Sequence, residues 1–144
     1  AEGDWTEKLK QQVAELNLAK HVRFLGVLPQ DHLRAPLSAA DVFVLATRNE
    51  GWANVFLEAM ACGLPVVTTD VGGNAEVVNH EALGKLVPFD DQQALSAAIN
   101  YALANNWNRA EIIDYAHKNS WDQRVTTLVE EFTKIAAQSS EQTT

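Results

Sequence analysis

Two glutamates, Glu50 and Glu58, stand with seven residues between them in the stretch N-E-G-W-A-N-V-F-L-E, from Asn49 to Glu58. Carboxylates accept strong hydrogen bonds from hydroxyls, and two of them facing one cleft can grip a polyol or act as acid and base across a bond. Between them the sequence turns from a polar loop holding Glu50 and Gly51 to an apolar, alanine-rich run, so a helix is expected to open at Trp52, Ala53, Asn54 and Val55. The free N–H groups and positive dipole end of such a helix start bind a diphosphate readily. Glu58 then falls a turn or two inside the helix, and both carboxylates reach one cleft from different elements. A second glycine-bearing loop, Gly72-Gly73, precedes a short helix carrying Glu76 and offers another cradle for an anion. Taken singly, each glutamate would read as a solvated surface charge; the setting is what gives the pair meaning.

That setting is an alternation of strands and helices. The apolar runs Val22 to Leu25, Asp41 to Ala46, Pro65 to Thr69 and Gly84 to Val87 are aliphatic or β-branched and do not alternate with polar residues. Strands buried on both faces of a parallel sheet have this pattern. Helices are predicted between and around them. One starts at Asp4, which has capping-box spacing to Glu7, carries Leu9, Val13 and Leu16 on one stripe and stops at Asn17. A weak one runs from His32 to Ala39, broken near Pro36. Others cover Asn54 to Cys62, stopped at Gly63, Asn74 to Asn79, Gln92 to Ala104 and Ala110 to His117. Ser120 and Gln123 repeat the capping-box spacing ahead of Val125, Leu128, Val129, Phe132 and Ile135, a stripe expected to dock on the body. The tail from Gln138 to Thr144 is small and polar and reads as disordered. The fold class is therefore α/β: a Rossmann-like parallel sheet flanked by helices, with further helices at the C-terminus. In such sheets ligands bind beyond the carboxyl ends of the strands, and Glu50 follows the Asp41 strand at that end.

Composition bounds the partners. The chain has 144 residues, 19 acidic and 11 basic side chains and a formal net charge of −8. That balance argues against a nucleic-acid partner, which would demand clustered Lys and Arg. The length suits one globular domain, and an apolar content of 47% excludes a disordered chain. The lone cysteine, Cys62, rules out a disulfide framework and reads, with Met60, as core packing. His21, His32, His80 and His117 are scattered without ligand spacing, so no metal is expected, and no cofactor either. Trp5, Trp107 and Trp121 read as packing or cap residues, whereas Trp52 flanks Glu50 and either packs under the loop or borders a ligand. No apolar run is long enough to span a bilayer and none reads as a signal peptide, which makes the cytoplasm the expected compartment.

The segment from Asn49 to Glu76 resembles the C-terminal, donor-binding domain of the retaining glycosyltransferases of family 4, which have the GT-B fold. The paired glutamates Glu50 and Glu58 carry the resemblance, followed by E-A-M-A-C-G-L-P-V-V (Glu58 to Val67) and G-G-N-A-E (Gly72 to Glu76). V-R-F-L-G (Val22 to Gly26), A-D-V-F-V-L (Ala40 to Leu45), the Gly84 to Pro88 strand and the Ser120-Trp121 helix start fit as well, so the likeness covers residues 1 to about 137. It implies a nucleotide-diphosphate-sugar donor and an acceptor that is a glycan or a lipid-linked molecule. Glu58 would hold the two ribose hydroxyls, Glu50 would contact the donor sugar near the reacting carbon, backbone N–H groups from Gly51 and Trp52 through Ala53, Asn54 and Val55 would hold the distal phosphate, and Val27 and Leu28 would hold the base through their backbone. It also implies that residues 1–137 are part of a domain whose early strands, together with an acceptor-binding N-terminal domain, belong to the same polypeptide upstream of Ala1. Those strands would lie at the sheet centre, between the Val22 and Asp41 runs, and their absence would leave an exposed strand edge and marginal stability. That upstream part could place the enzyme at the inner membrane face.

Two departures stand out. Many family members have E-G-F-G where this chain has Glu50-Gly51-Trp52-Ala53, so the second glycine is absent. The family's phosphate-binding Arg and Lys have no counterpart here, and Arg48 is not at their position. Rival readings are a paired-carboxylate glycosidase, which needs a protonated acid that nothing here suggests, a non-catalytic nucleotide-sugar-binding or interaction module, and a receiver or flavodoxin-like domain, which would carry an acidic cluster after its first strand.

Overall fold

The computed structural model describes residues 5–51, 54–120, 123, 125–130, 132 and 133. The chain divides into two compact units, residues 1–35 and 36–144. In the first, α1 spans Trp5–Glu15 and buries none of its residues. It ends at Asn17, whose φ of 57° is the left-handed conformation that asparagine tolerates. The Val22 to Leu25 run is not a strand: its backbone makes no ladder, and Val22, Phe24 and Leu25 are all exposed. A strand exists only through its pairing, and among the described residues nothing pairs with this run, whatever its composition. Helix α2, Gln30–Ser38, runs on past Pro36 instead of breaking there. Pro36 lies in its last turn, so little helix remains to be kinked beyond it.

The second unit is built on a parallel sheet of β1 (Phe43–Leu45), β2 (Val66–Thr69) and β3 (Gly84–Val87), in the order β1-β2-β3. The β1–β2 register ends at Leu45 opposite Thr68, and the β2–β3 register at Thr69 opposite Val87. All of β2 is buried, as a continuous V-V-T-T run between two covered faces requires. Strand β1 has one neighbour among the described strands, and its Val44 is 39% exposed.

Helices connect and cover these strands. They are α3 (Asn54–Ala61), α4 (Asn74–Val77), α5 (Gln92–Ala104) and α6 (Arg109–Lys118). Successive strand residues face opposite sides, and Val66 and Val67 accordingly enter two different cores. The larger core joins Phe56, Ala59 and Met60 of α3 with Leu64, Val66 and Val77 and with Ile112 and Ala116 of α6. Phe43 meets Phe56 edge to face there, with ring centroids 6.2 Å apart. The smaller core sets Ala98 and Ala102 of α5 on Val67 and Val87. Helix α3 ends at Gly63, with φ 76°, as its glycine stop predicts. Asp91 caps α5 by accepting from the Ala94 N–H at 2.8 Å, and Asn108 caps α6 through the Glu111 N–H.

Backbone at 125–130 is helical, and the Gln123 N–H lies 3.5 Å from Ser120 Oγ, in keeping with the capping-box spacing. The apolar stripe behind it does not dock on the body: Val125, Leu128, Val129 and Phe132 are all exposed. Helical periodicity forms an apolar face, but it does not supply the surface that would cover it. Ile135 and the 138–144 tail lie outside the described residues, as do Trp52, Ala53 and Trp121. Among the described residues no helix is long and apolar enough to cross a membrane.

Candidate functional site

Glu50 sits where the sequence pattern places it, in the loop leaving the carboxyl end of β1, and is half-buried. Gly51 beside it is exposed. Helix α3 begins at Asn54, which is exposed, and Val55 is half-buried. Glu58 lies one turn into α3 and is half-buried, while its neighbours Phe56, Ala59 and Met60 turn into the core. The core-facing spacing of those three residues thus leaves Glu58 on the flank of the helix. Val27, 77% exposed, and Leu28, half-buried, belong to the first unit.

What the tertiary structure brings together is Glu50 and the Gly72-Gly73 loop. The Gly73 N–H donates to the Glu50 carbonyl at 3.3 Å. At Gly72, with φ 52°, a Cβ would overlap that same oxygen, so only glycine allows the two loops to touch. This corrects the reading of Gly72-Gly73 as a second anion cradle. Three of its N–H groups are already committed, that of Gly73 to Glu50, of Asn74 to Val71 and of Glu76 to Gly73, and α4 behind them is only four residues long.

A buried polar network backs this contact, and composition gave no sign of it. Thr69 Oγ1 donates to the Thr47 carbonyl at 2.6 Å and accepts from the Thr47 N–H at 3.2 Å. Thr68 Oγ1 donates to the Leu45 carbonyl at 2.7 Å. Asn74 Nδ2 donates to the Thr69 carbonyl at 2.8 Å and to Thr68 Oγ1 at 3.1 Å, and lies 3.5 Å from Thr47 Oγ1. Asn74 is wholly buried, and its Oδ1 is the one buried side-chain polar atom without a hydrogen-bond partner among the described residues. Such an orphan acceptor costs about 1–3 kcal/mol. The signal available in the sequence was polar residues, Thr68, Thr69 and Asn74, within and just after an otherwise apolar strand run.

An open cavity of about 270 Å³ lies at the same end of the sheet, lined by Ala46, Thr69, Val87, Pro88, Phe89 and Leu95 among others. Neither Glu50 nor Glu58 lines it. Among the described residues there is no cluster of His, Cys, Asp and Glu able to hold a metal ion.

The family model for glycosyl transferases group 1 matches residues 2–119, which include the whole Glu50 to Glu76 segment. The chain belongs to the group 1 glycosyl transferases. A D-inositol 3-phosphate glycosyltransferase of Jonesia denitrificans is 32% identical over 136 residues, covering 90% of this chain and 32% of that protein. A GDP-mannose-dependent alpha-(1-6)-phosphatidylinositol monomannoside mannosyltransferase of Mycolicibacterium smegmatis is 36% identical over 110 residues, covering 72% of this chain and 29% of that protein. Among solved structures, sucrose-phosphate synthase from Thermosynechococcus elongatus matches with a TM-score of 0.78 at 30% identity, covering 95% of this chain and 36% of that one. The Anabaena protein HepE, solved in complex with UDP and glucose, matches with a TM-score of 0.68 at 29% identity, covering 96% of this chain and 37% of that one. The fold of this group 1 chain is accordingly that of its GT-B glycosyltransferase neighbours. The chain spans about a third of the length of the relatives it matches.

Proposed function

We infer that this chain is the donor-binding part of a retaining, family 4 glycosyltransferase that moves a sugar from a nucleotide-diphosphate sugar to an acceptor hydroxyl. The observation that carries the reading is the family match across residues 2–119, with Glu50 and Glu58 flanking the loop and helix start at the carboxyl end of β1. The relatives give it support. One is named as GDP-mannose-dependent, and one structural neighbour was solved with UDP and glucose.

In this reading Glu58 accepts from both ribose hydroxyls and Glu50 from hydroxyls of the donor sugar. Backbone N–H groups from Gly51 to Val55 hold the distal phosphate. The acceptor oxygen attacks the anomeric carbon on the face from which the diphosphate departs, and a leaving phosphate oxygen takes the acceptor proton. The enzyme's work is then to stabilise the departing diphosphate with preorganised dipoles. Acceptor recognition falls to an N-terminal domain of the same polypeptide, and the reaction belongs to glycan assembly in the cytoplasm or at the inner membrane face.

Calorimetric titration of the chain with UDP, UDP-glucose and GDP-mannose tests this. A charge-assisted hydrogen bond contributes about 1.5–3 kcal/mol, so Glu58→Ala should weaken nucleotide binding about ten- to hundredfold. A folded chain that takes up none of the three, or a Glu58→Ala variant that binds as the parent does, overturns the reading.

A further inference from the structure

We propose that Asn74 and Thr69 are positioning residues: together they set the backbone of the Glu50 loop. The functional half of this proposal rests on the reading of Glu50 as a donor-sugar ligand.

The argument follows the hydrogen bonds. The backbone ladder between β1 and β2 ends at Leu45 and Thr68. Past that point side chains continue it. The Thr69 hydroxyl brackets Thr47, donating to its carbonyl at 2.6 Å and accepting from its N–H at 3.2 Å. Carbonyl oxygens only accept, so the direction of each hydroxyl proton is fixed: Thr69 toward Thr47, and Thr68 toward Leu45 at 2.7 Å. With its proton committed, Thr68 Oγ1 is left to accept, and Asn74 Nδ2 supplies that bond at 3.1 Å. The same amide nitrogen holds the Thr69 carbonyl at 2.8 Å. Immediately before Asn74, the Gly73 N–H takes the Glu50 carbonyl at 3.3 Å. The exit of β1 is therefore pinned at Leu45, Thr47 and Glu50, and each pin leads back to Thr68, Thr69 or the Gly73-Asn74 turn.

The orphan Oδ1 of Asn74 bears on what this network is for. Turning the amide over would set Oδ1 against the Thr69 carbonyl, two acceptors face to face, so the nitrogen must point as it does. Holding it so leaves a wholly buried acceptor unpaired. An apolar side chain in its place would remove that defect but leave the Thr69 carbonyl and Thr68 Oγ1 without their donor. The arrangement is explained if the fixed course of the Glu50 loop is what it provides.

Hydrogen exchange of the folded chain, followed residue by residue by NMR, separates positioning from general stabilisation. Three variants are compared. Asn74→Asp keeps the side-chain volume and loses the donors, Thr69→Val keeps the shape and loses the hydroxyl, and Thr69→Ser keeps the hydroxyl. The Thr47 and Gly73 amides should exchange about tenfold or more faster in Asn74→Asp and Thr69→Val. The Phe43 and Val66 amides, within the sheet, should keep their parental rates, and Thr69→Ser should match the parent throughout. Equal acceleration of all four amides, or none at Thr47 and Gly73, overturns the proposal. If Asn74→Asp fails to fold, the Thr69→Val and Thr69→Ser pair decides by the same criterion.

Titration with UDP and UDP-glucose on the same variants tests the functional half. The preference for UDP-glucose over UDP should fall about tenfold in Thr69→Val and return in Thr69→Ser, with UDP affinity kept. An unchanged preference alongside local amide opening retires the role of Glu50 at the sugar and leaves the loop positioning standing. A chain that binds neither nucleotide retires the proposed function and leaves the exchange result intact.

Discussion

Gly72 packs against the carbonyl of Glu50, backbone on backbone, in a conformation with φ 52° and no room for a Cβ. The loop that leaves β1 and the loop that leaves β2 therefore touch through main-chain atoms, and the next residue, Gly73, turns that touch into a hydrogen bond. Two stretches that read as separate motifs in the sequence are one structural unit. Glu50 owes its place to β2 as much as to the strand it follows.

Gly72→Ala should therefore be costly. The left-handed φ and the overlap with Glu50 both act, and a loss of about 2–3 kcal/mol is expected in urea denaturation. A change within about 0.5 kcal/mol, the range of ordinary surface substitutions, would mean that the two loops are not held together in solution.

Glu50→Gln separates the two glutamates. It keeps size and removes charge, so UDP-glucose affinity should fall about tenfold while UDP affinity is unchanged. Parallel titrations measure this. An equal loss for both ligands would place Glu50 at the nucleotide rather than at the sugar.

Ile112→Ala tests the main core. Ile112 is wholly buried where α6 meets α3, and removing its methyl groups should cost about 2–5 kcal/mol, read as a lower urea midpoint. The flank of α3 carries Glu58, so nucleotide binding should weaken only as far as the folded fraction falls.

Leu128→Gln, by contrast, should leave stability almost unchanged. Leu128 is 54% exposed despite its place on a regular apolar stripe, and the urea midpoint should move by no more than about 0.5 kcal/mol equivalent. A loss as large as that of Ile112→Ala would show the stripe to be covered after all.

Much of this fold was legible because local rules and tertiary demands agree. The run Pro65 to Thr69 lacks polar alternation and is buried throughout because β2 is the middle one of the described strands, with a core on each face. Gln92 and Ala104 bound α5 as the pattern predicts, and Gly63 and Asn17 end their helices in the left-handed conformation that their side chains permit. The placement of Glu50 after a strand and of Glu58 inside a helix was legible as well, since a strand exit and a helix start are local features.

The failures have one cause. Val22 to Leu25 has strand composition without a strand, and the stripe from Val125 to Phe132 has helical periodicity without burial. In each case composition describes what a segment can offer, and pairing or cover depends on what faces it. The Thr47, Thr69 and Asn74 network was hidden for the same reason: Thr47 lies 22 residues from Thr69 and 27 from Asn74. The sequence by itself determined the three strands of the sheet, the helices between them, their order and the group 1 family. The tertiary structure alone decided that the Glu50 loop is pinned by hydroxyls, an amide and a glycine from the neighbouring strand exit, because hydrogen bonds between distant segments leave no periodic trace in the chain.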